Sequence, residues 1–330
     1  MTAPPITAHA TVVSIAPPAS HGSVPGMAPA VRDLRPDTDL DCLHEIIRTV
    51  HPYLVRSRAG LAWQFAHAPA QQRFRVFVAE LDGTPVGLVR SGLDWETSVP
   101  GQGFAHVSVL PAYRGRGAGT VLLGAAEDHL RGLGVRDVHA WGSTDPASER
   151  FADKHGYQRR RRARYQRAVL SVARLPEPAV PAGVELRPWS DFAADPRPLW
   201  SADADASRDE PGDVPVDAMP YEGWLAAAWE LPDTDRELSM AAVVDGTVAA
   251  FTLAQTDPPR YWSGMTGTRR ACRGRGLGTL VKVASLRRAV ERGLTEAYTG
   301  NDEQNAPMLA INARLGYREH ATQWRCLHHL

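Results

Sequence analysis

The chain has 330 residues, 43% of them hydrophobic and 22% charged, which favours two domains and permits a buried core in each. Lys+Arg and Asp+Glu each number 37, so the formal net charge is zero, without the basic excess of a surface that neutralises nucleic-acid phosphates. No uninterrupted apolar run is long enough to span a membrane, and the three scattered cysteines, Cys42, Cys272 and Cys326, form neither a disulfide framework nor a zinc-type pair.

Residues 1–30 are rich in Ala and Pro, with neither the basic start nor the apolar core of a secretory signal. They read as a disordered leader, and the expected setting is the cytoplasm. A strand is predicted near Val31 to Arg35, then helices from Asp37 to Val50 and near Ala59 to Ala68. Phe74, Val76 and Val78 alternate as a strand, Asp82-Gly83 turns the chain, and Val86 to Val89 returns. Ala105, Val107 and Val109 alternate again. A Gly-rich turn then opens a helix carrying Val121, Leu122, Ala125, Ala126 and Leu130, closed by Gly132 and Gly134.

After a Pro-rich linker over 171–183, the same order returns. A strand is predicted over Val184 to Arg187 and a helix over Tyr221 to Trp229. Met240 to Val244 and Val248 to Leu253 make a hairpin around Asp245-Gly246. A helix bearing Leu280, Val283, Ala284 and Val290 follows the second Gly-rich turn, then a strand from Glu296 to Thr299 and a helix from Ala306 to Leu315. Leu34-Arg35-Pro36, Asp82-Gly83-Thr84, Arg114 to Gly119 and Gly156-Tyr157 recur as Leu186-Arg187-Pro188, Asp245-Gly246-Thr247, Arg273 to Gly278 and Gly316-Tyr317, in the same order at nearly one offset. The expected fold is therefore mixed α/β, twice over, with lobes at 31–170 and 184–330.

A strand, then Arg-x-x-Gly-x-Gly, then a long helix makes an anion cradle. Its glycines allow successive N–H groups to converge, and the helix macrodipole adds positive potential there. A triphosphate loop needs a Gly-Lys-Ser/Thr ending, which is absent, and a dinucleotide fold needs a different glycine spacing near its first strand. A coenzyme A pyrophosphate remains as an occupant, against the simpler reading of a sharp loop with basic side chains in solvent.

Val107-x-Val109-x-Pro111-x-Tyr113-Arg114-x-x-Gly117-x-Gly119 resembles the acetyl-CoA motif of the GNAT superfamily of N-acetyltransferases. So does the second copy, with Thr266-x-Thr268, Arg273-x-x-Gly276-x-Gly278 and then Asn305-x-Pro307. The doubled arrangement is similar to that of mycothiol synthases. The resemblance implies that each lobe is a twisted mixed sheet flanked by helices, and that acetyl-CoA is the cosubstrate. Backbone groups of Val107 and Val109, or of Thr266 and Thr268, would hold the pantetheine arm. The loop Arg114, Gly115, Arg116, Gly117, Ala118, Gly119 and Thr120, or Arg273, Gly274, Arg275, Gly276, Leu277, Gly278 and Thr279, would hold the pyrophosphate. Asn305 would sit beside the pantetheine, with Asp145 a poorer match in the first copy.

The implied reaction is attack of an amine on the thioester, which needs a neutral amine, a donor to the developing oxyanion and a proton for the departing thiolate. Many relatives place a Tyr acid four residues before the closing Gly; here Ala152 and Asn312 stand there. The strand before each loop also lacks the family's common carboxylate. Candidate substitutes are Tyr298 as acid, His106 as base, and the acidic stretch Asp209, Glu210 and Asp213 as the site that binds a cationic amine and passes its proton through water. A packed tyrosine, a packed histidine and a solvated loop are the plainer alternatives. Trp95, Tyr261 and Trp262 are read as core before acceptor pocket, and Arg159 to Arg162 as inter-lobe or solvated charges. The second lobe is favoured as the catalytic one. The expected partner is a small-molecule or peptide amine, with no metal, nucleic acid or membrane; the rival function is a non-catalytic acyl-CoA-binding or regulatory protein.

Overall fold

The computed structural model describes residues 28–171, 175–209, 214, 217 and 219–330. Most of the expected leader, part of the linker, and Glu210 and Asp213 lie outside these residues. The first half runs β1 (Ala30–Asp33), α1 (Pro36–Val50), α2 (Arg58–Ala66), β2 (Arg75–Leu81), β3 (Thr84–Leu93), β4 (Gln102–Val109), α3 (Ala118–Gly132), β5 (Asp137–Ser143), α4 (Pro146–Lys154) and β6 (Gln158–Val169). The second runs β7 (Val184–Pro188), α5 (Arg197–Ser207), α6 (Tyr221–Trp224), β8 (Met240–Val244), β9 (Thr247–Asp257), β10 (Arg260–Thr268), α7 (Leu277–Glu291), β11 (Glu296–Asp302), α8 (Ala306–Arg314) and β12 (Arg318–His329).

Local chemistry accounts for these elements. Pro36 opens α1 with its φ already helical, Asp37 and Asp39 complement the dipole, and Leu43, Ile46 and Ile47 fall on the buried face. Asp82 and Gly83, and again Asp245 and Gly246, all have positive φ, as a tight hairpin turn requires. The helix expected over 221–229 is α-helical only to Trp224 and becomes a π-turn over Leu225–Trp229. The wider, i→i+5-bonded turn carries the chain from Trp224 to Trp229, and both pack near Trp189.

All twelve strands form one sheet in the order β1-β2-β3-β4-β5-β12-β6-β11-β10-β9-β8-β7. The closing strands are exchanged. β12 pairs with β5 of the first half, while β6 pairs with β11 of the second, and the two lie antiparallel side by side at the centre. The arginine run on β6 is consumed there: Arg161 reaches Asp302 at 3.5 Å and Arg162 reaches Glu303 at 3.3 Å, both across the halves, while Arg159 lies 3.3 Å from Glu149.

α3 covers the first half-sheet with Leu122, Leu123, Ala126 and Leu130, and α7 covers the second with Leu280, Val281, Val283 and Leu286. In each half the parallel pair before the Gly-rich turn meets over three residues only. β4 meets β5 at Gln102 to Phe104, and β10 meets β11 at Arg260 to Trp262. Beyond those points the strands part. No helix among the described residues is long and apolar enough to cross a membrane.

Candidate functional site

The parting of β10 from β11 opens a cavity of about 1190 Å³ that extends to the facing gap of the first half. Thr266 and Thr268 line it past the split, followed by Arg273, Gly274, Gly276, Leu277, Gly278 and Thr279 of the loop and by Asn305. Gly274 and Gly276 have φ of +76° and +75°, and a Cβ on either would meet nothing within 4 Å. This open, positive-φ turn leads directly into α7, so amides and helix dipole converge on one concavity, suited to a pyrophosphate. Arg273 is pinned by donating from Nε to the Thr268 carbonyl at 3.2 Å. Arg275 does not line the cavity.

The first half repeats the loop, open at Gly115 but with side chains packed against Gly117 and Gly119. A Cβ on Gly119 would lie 3.1 Å from the Phe151 ring, and Pro29 stands 3.5 Å from the corresponding point on Gly117. Thr120 is hydrogen-bonded to His155 at 3.2 Å. Gly278, the counterpart of Gly119, faces only the Thr268 hydroxyl. Of the first half's expected coenzyme residues, Val107 alone lines the cavity; Val109 and the loop from Arg114 to Thr120 do not.

The strands beside the gaps differ too. β4 pairs with β3 in unbroken register from Gly103 to Val109. β10 slips against β9 between Ser263 and Thr266, leaving Gly264 and Met265 outside the ladder. A bulge of this kind leaves backbone N–H groups without ladder partners beside the gap, which is what an oxyanion donor requires.

The expected catalytic residues are only partly brought together. Tyr298 does not reach the cavity: it is buried against Tyr53 and Val55, and its hydroxyl donates to Glu296 at 2.9 Å. Burial and the Glu296 carboxylate raise its pKa, so it is a packed tyrosine and not an acid at the cleft. His106 does line the cavity, but burial, reinforced by Arg90, lowers it to about 3, removing it as a base near neutrality. Asp209, beside Glu210, is held by Arg270 and by Arg273 at 2.6 Å, which lowers it to about 2 and ties it to the coenzyme loop. Trp95 and Trp262 line the cavity, against the expectation of core packing, whereas Tyr261 is buried with its hydroxyl 2.7 Å from Ser285.

Two groups escaped the sequence reading. Asp203, on α5, lines the cavity and accepts from Trp224 Nε1 at 2.7 Å and from Ser207 at 3.0 Å. No cation pairs with it among the described residues, and burial raises its pKa. Lys282, on α7, is fully buried on the protein side, lines the cavity, and donates to Asn312 Oδ1 at 2.6 Å. Burial lowers its ammonium to about 7. Asn312 is held in turn by donating to Asn301 at 2.7 Å and to Gln166 of the exchanged strand β6 at 2.9 Å. A lysine inside the apolar run Leu280 to Leu286 was the available signal; Asp203 had none, since Trp224 lies 21 residues away in sequence.

The acetyltransferase (GNAT) family matches residues 41–157 and again 200–317. Among curated relatives, a mycothiol acetyltransferase from Clavibacter sepedonicus is 32% identical over 270 residues, covering 77% of this chain and 84% of the relative. One from Nocardioides sp. is 30% identical over 224 residues, covering 63% and 74%. Among solved structures, a GCN5-related N-acetyltransferase from Sphaerobacter thermophilus superposes with a TM-score of 0.69 at 20% identity, covering 92% of this chain and 96% of that one. A tandem GNAT protein from the clavulanic acid biosynthesis pathway gives 0.67 at 21% identity, covering 91% and 98%. Two family matches on one chain, an open pyrophosphate cradle and a splayed strand pair agree: the chain belongs to the acetyltransferase (GNAT) family, as a tandem N-acyltransferase that uses acetyl-CoA.

Proposed function

We propose that the enzyme acetylates a primary amine of a small molecule, with the chemistry in the C-terminal half and the N-terminal half serving as scaffold and cavity wall. The observation that carries this is Asp203, a carboxylate without a cation partner among the described residues, facing the same cavity as the open coenzyme loop. A cavity of about 1190 Å³ that must also admit the pantetheine arm leaves room for a small acceptor and favours that over a folded protein.

Acetyl-CoA supplies an activated thioester. Asp203 holds the incoming amine and takes its proton, a role that its raised basicity suits. The bulge at Gly264 and Met265 offers backbone N–H groups to the developing oxyanion. Lys282, fixed by Asn312, supplies the proton that a tyrosine gives in many relatives. In the first half an unbroken β4 and a ring over Gly119 argue against a second reaction centre.

The test is thiol release from acetyl-CoA over a panel of primary amines, including the substrate of the mycothiol acetyltransferases that this chain resembles. Amine-dependent release is expected. Tight acetyl-CoA binding with no release above background across the panel would overturn the reading.

A further inference from the structure

One charged group in the cavity is left unused by this chemistry. Arg90 stands on β3 directly opposite His106 on β4, so the two side chains share a face, and both line the cavity. No hydrogen bond or ion pair holds Arg90 among the described residues. Asp94 lines the same cavity, and no ion pair joins it to Arg90 among the described residues. The neighbouring Arg56 differs, since it has Asp233 at 3.6 Å. Arg90 is half-buried at the cavity wall, and burial, then Arg56, pulls its guanidinium down to about 10, where it still carries its charge at neutral pH.

A partly desolvated cation with no counter-ion of its own favours a ligand that supplies one. The surroundings are those of an anion site. His106 is neutral, and its Nδ1 is buried without a hydrogen-bond partner. Tyr165, from the exchanged strand β6, also lines the cavity, and its phenol, raised to about 12 by burial, stays protonated as a donor. The guanidinium fork presents paired N–H groups suited to two oxygens of one oxyanion. Arg90 comes from the half whose coenzyme loop is filled, and Asp203 from the half whose loop is open.

We propose that Arg90, with His106 and Tyr165 beside it, binds an anionic group of the acceptor, so that the substrate is an amine that also carries a carboxylate or a phosphate. This rests on the amine-acceptor reading, with Asp203 holding the ammonium end and Arg90 the anionic end. The first-half gap, closed to coenzyme at its loop, serves as the acceptor's second anchor.

Calorimetry on protein saturated with coenzyme A, which permits no turnover, tests the subsite directly. The probes are β-alanine against β-alaninamide, and O-phosphoethanolamine against ethanolamine. An anionic member binding at least about tenfold tighter than its neutral partner is expected, as for a charge-assisted bidentate contact. A preference in the first pair names a carboxylate, and in the second a phosphate. Arg90→Leu, with Arg90→Gln as a second variant, is expected to erase the preference while acetyl-CoA affinity stays unchanged. Equal binding within both pairs, binding of none, or a preference that survives both variants overturns the proposal. Thiol release on the same probes separates the two readings. Anions that bind through Arg90 but are never acetylated would sink the amine-acceptor reading alone. Acetylation indifferent to the anion would sink the subsite alone.

Discussion

The ammonium of Lys282, at the wall of the cavity, donates to Oδ1 of Asn312 across 2.6 Å, and both side chains are buried. Asn312 occupies the position where many GNAT relatives carry an acidic tyrosine. An amide cannot give up a proton at neutral pH, but a desolvated ammonium near 7 can. Lys282→Met is therefore expected to lower kcat by about 10²-fold while the KM for acetyl-CoA stays nearly constant. The wild-type rate should fall as pH rises through the lysine's pKa, and the variant should lose that limb. Asn312→Tyr introduced into Lys282→Met should restore part of the rate, whereas a purely structural lysine would give no rescue.

The same lysine predicts a pH dependence of stability. Its folded pKa, about 7, lies below the ordinary lysine value, so the unfolded chain binds the proton more tightly. Between the two values the unfolded state holds a proton that the folded state lacks, and stability contributed by this site rises with pH. Below about pH 7 the full penalty applies, on the order of a few kcal/mol. Thermal melts should show Lys282→Met more stable than wild type near about pH 6, with the gap closing towards about pH 10.

Asp203→Asn keeps the shape of the side chain but removes its charge. We expect kcat/KM for the amine to fall by about 10²-fold or more, with acetyl-CoA affinity unchanged by calorimetry. The fold should lose no more than about 1–3 kcal/mol, because one oxygen can still accept from Trp224 or Ser207. A parallel loss of coenzyme binding would place Asp203 in the scaffold instead.

The two Gly-rich loops can be separated by one matched pair of substitutions. Gly276→Val puts a branched Cβ at a φ of +75° in the open cradle, and Gly117→Val does the same at +89° in the filled one. Each should cost about 1–3 kcal/mol through backbone strain. Only Gly276→Val should abolish acetyl-CoA binding, and the wild-type titration should saturate at one equivalent per chain. Two equivalents, or loss of binding in Gly117→Val, would assign the first half a working coenzyme site.

Much of this architecture was legible in local chemistry. Asp82-Gly83 and Asp245-Gly246 announced their hairpins because few other pairs accept positive φ twice in succession. The Gly-rich loops announced an anion site for the same reason. What stayed hidden depended on partners distant in sequence. Neither β6 nor β12, whose burial does not alternate cleanly, was predicted as a strand, so the exchange could not be read. Phe151 carries no signal in the sequence that its ring lies over Gly119. His106 looked like a base near neutrality because its type alone carries no information about burial or about Arg90 across the strand pair. Tyr298 looked like an acid because strand alternation does not say which face opens on a cleft.

The central exchange also binds the ancestry of the two copies together. Gln166, encoded in the first copy, accepts from the buried amide of Asn312 in the second, while Arg325, encoded in the second, lines the cavity beside the first. Neither copy can be deleted, swapped for a homologue or evolved as a separate gene without removing a strand from the middle of the other. A duplication that had kept its closing strands at home could have shed a redundant copy. This one ties each copy's closing strand into the other, so neither half-sheet is complete alone.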